Sequence, residues 1–167
     1  MSAAVDDVLR VGNDAHPSLT QLTRRYGVEL VACAPDDSLP GSYWGESEAG
    51  LRGNSLYVRP DTPLHSLLHE LSHYVCMAPG IRAALYRDAG GDDAEECAVC
   101  YLQIVLADQV AGFGRARMLA DMDAWGYTFR LGSARAWFEK DAGEACIWLR
   151  QHGVLDEDGN PTFFARS

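Results

Sequence analysis

The residues best suited to chemistry in this chain are His69, Glu70 and His73, which stand in the order His-Glu-x-x-His. Positions four apart on a helix share a face, so both imidazoles can reach one ion. Glu70 lies one step round the helix from His69 and can reach a water on that ion. On zinc, such a water ionises near neutral pH, and a neighbouring carboxylate can take its proton. The pattern therefore implies metal-assisted hydrolysis.

That chemistry needs the stretch to be helical, and the local signals agree. Thr62 is expected to cap the N-terminus, with Pro63 at the first helical position, where its missing N–H costs nothing. Leu64, Leu67, Leu68, Leu71 and Val75 recur at three- and four-residue spacing, which gives the helix an apolar face to bury. Pro79-Gly80 stops it.

Catalytic zinc usually has three protein ligands and one open position, so the chain must supply a third ligand. No His-x-x-Gly-x-x-His continuation follows His73. His152 is remote in sequence. The carboxylates Asp92, Asp93, Glu95 and Glu96, which open the next long helix, are better placed. At about 100° per residue, Glu95 shares a face with Ala98, Val99, Leu102 and Leu106. Glu96 shares one with Gln103, read as the polar side. A carboxylate turned inward needs a partner, and a metal is one. Glu95 is therefore the expected ligand. Glu96, three after Asp93, is expected to be solvated or to act in a capping box.

His69-Glu70-x-x-His73 followed by Glu95-x-x-Ala98 resembles the gluzincin metallopeptidases. In these a glutamate on a second helix completes the site, often with a small residue three positions on. The small size and the strand-then-helix order over Leu56 to Val75 look most like the minigluzincins, including the ImmA/IrrE-like proteins. The resemblance implies an α+β zincin-like fold, with a small sheet packed on an active-site helix and a second metal-bearing helix. It also implies zinc and a peptide or protein substrate. Many gluzincins carry Asp one position after the small residue, to orient a histidine; here that residue is Val99, so the partner must come from elsewhere.

Other residues have simpler readings. His65, four before His69, extends the histidine face and is expected to be partly exposed. Cys97-x-x-Cys100 follows a run of carboxylates rather than the positive surroundings that reactive cysteines need, so both are expected to pack in the core. Tyr43, Tyr101, Tyr127, His16 and His152 could each steady a developing oxyanion by type, and no pattern selects one. Arg130 and Arg135 are expected on the solvated surface.

The 167 residues are expected to form one domain spanning residues 1–167, with its own core. A net charge of −10 argues against nucleic acid, which binds Lys/Arg patches. No apolar run reaches membrane-span length, and Met1 to Arg10 has no signal-peptide pattern. Five cysteines without a scaffold pattern suit a reducing cytoplasm.

In order, the chain predicts a helix over Ser18 to Tyr26 and a strand over Val28 to Cys33. Two further strands follow, at Tyr43-Trp44 and Asn54 to Arg59. After the central helix come helices from Asp92 to about Val110, from Arg115 to Trp125, and from Ser133 to about His152. The strand before the active helix could offer a free edge to an extended peptide. Beyond Pro161 the chain is expected to be loose.

The chemistry expected is peptide hydrolysis, with zinc on His69, His73 and Glu95 and with Glu70 as proton carrier. The alternative is a non-catalytic zinc module that senses or controls a partner. A fourth protein ligand, such as a cysteine, would favour the latter.

Overall fold

The runs read as strands at Val28 to Cys33 and Asn54 to Arg59 lie side by side. The computed structural model describes residues 7–40, 48–83 and 92–167. In it β1 (Glu29–Ala32) pairs parallel to β3 (Ser55–Val58), and β2 (Gly50–Arg52) pairs antiparallel to β3. The order is β1-β3-β2. Gly53 lies between β2 and β3 at φ 61°, a left-handed angle that glycine adopts without strain. The strand leading to the His-Glu-x-x-His stretch is thus central, paired on both sides. The free edge expected there is absent, because β1 takes it. Among the described residues, β2 pairs on one side only. The strand expected at Tyr43-Trp44 lies outside them.

Helix α1 (Pro17–Arg25) precedes the sheet, capped by His16, whose Nδ1 accepts from the Ser18 N–H at 3.1 Å. Helix α2 (Leu64–Cys76) carries the His-Glu-x-x-His residues. Its five predicted apolar positions are all buried, four of them with no exposed surface. Thr62 does not cap it. The Thr62 hydroxyl accepts instead from Arg59 N–H at 2.8 Å, closing the turn out of β3. Pro63 is extended and stands just outside the helix. The first helical N–H, that of Leu64, donates to Leu9 C=O at 2.9 Å, so an upstream segment supplies the cap. Ser66 Oγ accepts from Ala49 N–H at 3.0 Å and ties α2 to the start of β2.

The short α3 (Pro79–Ala83) follows, then α4 (Asp93–Leu106), with Asp92 at its N-cap accepting from Glu95 N–H at 2.9 Å. Helices α2 and α4 make the most extensive contact between elements. A 3₁₀ turn (Ala107–Gln109) leads to α5 (Arg115–Trp125). The last predicted helix is two, α6 (Ala134–Lys140) and α7 (Gly143–Gln151), broken at Asp141-Ala142. Asp141 accepts a forked pair from Arg130 at 2.7 and 2.5 Å, which holds the break. The buried side chains form one cluster running from Leu19 to Leu155.

The tail beyond Pro161 is tied down rather than loose. Arg166 N–H donates to Val75 C=O at 2.8 Å, and its guanidinium reaches Cys76 C=O at 3.3 Å. Phe163 packs on Tyr26 and lies under the Arg25 guanidinium. No helix among the described residues is long and apolar enough to cross a membrane.

Candidate metal centre

The histidine spacing works as the helical geometry requires. His69 and His73 turn their Nε2 atoms toward each other, 3.1 Å apart. The carboxylate that faces them from α4 is Glu96. Its Oε1 stands 3.4 Å from His69 Nε2, and its Oε2 stands 3.4 Å from His73 Nε2. Glu95, the expected third member, points elsewhere. Its Oε1 accepts from the Arg166 guanidinium at 2.9 Å. The premise that an inward carboxylate needs a partner is met, but by an arginine from the tail. Burial pushes the Glu95 carboxyl up from its ordinary value, and Arg166 opposes that push.

The histidine pair and Glu96 have the dimensions of a metal site. Two nitrogens each about 2.0–2.1 Å from a tetrahedral zinc stand about 3.3 Å apart. The 3.1 Å between the two histidine nitrogens is close to one edge of such a tetrahedron, and each Glu96 oxygen stands 3.4 Å from one of those nitrogens. Burial and the neighbouring His69 push His73 down to about 3, so it is neutral with a lone pair to give.

A third helix residue orients the pair. Gln103 Nε2 donates to His65 C=O at 2.8 Å, which fixes the direction of the amide. Its Oε1 therefore faces His69 Nδ1 at 2.9 Å and accepts that N–H. The tautomer this leaves has its lone pair on Nε2, directed at His73 and Glu96. The role expected of a residue at position 99 is taken one helical turn later by Gln103. Gln103 is buried, not on a solvated face.

Tyr127, from the chain after α5, closes this side. Its hydroxyl lies 3.4 Å from Gln103 Nε2 and 3.3 Å from His65 Nδ1, and its ring meets His69 edge-on. Burial pushes its hydroxyl pKa well up, so it remains protonated. Glu70 is half-buried beside it, close enough for its charge to add to that push. The other described candidates for an oxyanion group have different work. His16 caps α1, His152 stacks on Trp148, and Tyr101 packs on Phe138. Tyr43 lies outside the described residues. His65, expected to be partly exposed, is buried against Trp125 and Tyr127.

Cys100 is the residue sequence reasoning passed over. One ligand atom each of His69, Glu96 and Cys100 lie within 4.8 Å of one another. Cys97, expected in the core, is exposed. All five cysteines are free thiols. Glu96, Cys100 and Gln103 sit at intervals of four and three, a single stripe along α4. That stripe was visible in the sequence; reading Gln103 as a solvated residue concealed it.

No family model matches the chain, and neither a curated protein nor a solved structure matches it.

Proposed function

We propose that the chain is a zinc-dependent peptidase of the minigluzincin kind, acting in the cytoplasm on a peptide or protein substrate. The observation that carries this reading is the triangle of His69 Nε2, His73 Nε2 and the Glu96 carboxylate, with Glu70 on the same helix. The α+β fold supports it, since it sets a strand directly before the active helix and packs a second carboxylate-bearing helix on it.

His69, His73 and Glu96 would hold the ion. Bound there, zinc would supply a Lewis acid that makes an attacking water acidic near neutral pH. Glu70 would accept a proton from the attacking water and return it to the leaving amine. Gln103 keeps His69 in the ligating tautomer. Tyr127 keeps its proton and closes the side of the site next to His69 and Glu70.

The test is metal analysis of purified protein beside a peptide-library assay of wild type and Glu70→Gln. Near-stoichiometric zinc in both, with cleavage only by wild type, is the expected result. Full cleavage by Glu70→Gln would remove Glu70 from the mechanism, and no zinc uptake would remove the metal centre.

A non-catalytic zinc module is the second reading, and the thiol of Cys100 beside His69 and Glu96 favours it. Four protein donors close a structural site, whereas three leave a position for chemistry.

A further inference from the structure

Cys100 offers a thiol beside His69 and Glu96. Helix α4 turns three polar groups in succession toward the histidines of α2. Glu96 reaches both rings, Gln103 reaches the back of His69, and Cys100 lies between them in sequence. It is buried, so its sulfur is held away from bulk water. A thiolate sits about 2.3 Å from zinc, which puts it about 3.6 Å from the other donors of a tetrahedral site. The ligand atoms of His69, Glu96 and Cys100 lie within 4.8 Å of one another. A side-chain adjustment of about an ångström, of the size a rotamer change gives, would bring the sulfur to that spacing from the His69 and Glu96 donors.

We infer that Cys100 is a competing fourth ligand, a thiol gate that takes the metal's open position when no substrate is bound. The inference rests on the metal centre proposed above and adds its regulation. On binding, the thiol gives its proton to solvent and the sulfur occupies the place of a water. On release, the sulfur takes a proton back and the position reopens. No electrons are transferred in either direction. A gate fits this site better than a permanent fourth ligand. His69, His73 and Glu96 already supply three donor groups, and Glu70, which a closed structural site would not need, follows His69 on the same helix.

The test is zinc X-ray absorption spectroscopy on the full-length wild-type protein and on Cys100→Ala and Cys100→Val, with zinc content and peptide cleavage measured on the same samples. A sulfur shell at about 2.3 Å in the wild type, lost in both variants while zinc stays bound, is expected. Cleavage by the variants should then exceed that of wild type several-fold. A shell of nitrogen and oxygen alone in the zinc-loaded wild type overturns the gate and leaves the metal centre standing. A sulfur shell in the wild type, with zinc lost and no cleavage in the variants, overturns the gate in favour of a structural site. No zinc in the wild type overturns the metal centre itself.

Discussion

Gln103 Oε1 accepts the Nδ1–H of His69 at 2.9 Å, while its amide nitrogen donates to the backbone of His65 at 2.8 Å. One side chain from α4 thus reads two positions of α2 and sets the tautomer of a candidate ligand. Gln103→Leu keeps the bulk and removes the acceptor. Zinc affinity, measured by competition with a chromophoric chelator, should fall about 10–100-fold, as expected when a partner of a ligating histidine is lost. Gln103→Glu, which retains an acceptor oxygen, should lose less. Equal affinities for wild type and Gln103→Leu would mean that His69 is oriented by something else.

Adjacent glutamates on α4 do separate work, and isosteric substitutions should separate their effects. Glu96→Gln weakens the donor facing both histidines, so zinc content should drop while the metal-free protein unfolds much as wild type does. Glu95→Gln leaves that donor alone and removes the charge opposite Arg166 at 2.9 Å, in a pair whose side chains are 11% and 23% exposed. Zinc content should hold, and denaturant unfolding should show a loss of about 1–3 kcal/mol, the cost of a partly buried charged hydrogen bond. Zinc loss from Glu95→Gln alone would reverse the assignment.

Arg82 finishes the helix that carries the histidines. Its guanidinium donates to the carbonyls of Tyr74, Val75 and Met77 at 2.9, 3.3 and 2.6 Å, and to Arg166 C=O at 2.9 Å. The last carbonyls of a helix have no intrahelical donors and carry its negative dipole end, so a forked cation there is doubly suited. Arg82→Ala should destabilise the protein by about 1–3 kcal/mol, and Arg82→Lys should recover only part of that, since a compact ammonium lacks the planar spread of donors that lets the guanidinium reach four carbonyls. Chemical denaturation checks both; full recovery by lysine would argue for charge alone.

Much of this arrangement was written in local pattern. Leu64 to Val75 and Asp93 to Leu106 carry periodicities that specify helices, and the four-residue histidine spacing puts two rings on one face wherever that helix goes. What local pattern did not carry was rotation about α4. Glu95 and Glu96 are 100° apart, and which one meets α2 depends on how the helices pack. Arg166, 71 residues beyond Glu95, takes one of the two. Gln103 was misjudged for a related reason. An amide is polar in a composition sense, yet here it is buried because His69 and the His65 carbonyl satisfy it. Thr62 lost its expected capping role to a backbone segment near Leu9, a long-range pairing that no helix-start signal encodes.

His65 gives the protein a pH dependence that can be measured without metal. Burial, with smaller contributions from His69 and Arg10, pushes its pKa down to about 3, against an ordinary value of 6.5. Its Nε2 has no hydrogen-bond partner, and Trp125 and Tyr127 pack on the ring, so the folded state holds the neutral form. The unfolded chain binds the proton more readily. The stability that follows is fully present above the unfolded value and is lost as pH falls from about 6.5 toward 3. One such group contributes a slope of about 1.4 kcal/mol per pH unit in that window. His73, also pushed down to about 3, adds a second slope of the same sign. His65→Phe keeps an aromatic ring against Trp125 and removes the titration. Denaturant unfolding of the metal-free proteins between pH 4 and pH 6, a window lying inside those about-6.5 and about-3 limits, should show the variant's slope shallower by about one proton's worth. Parallel slopes for the two proteins would mean that His65 is already protonated in the folded state.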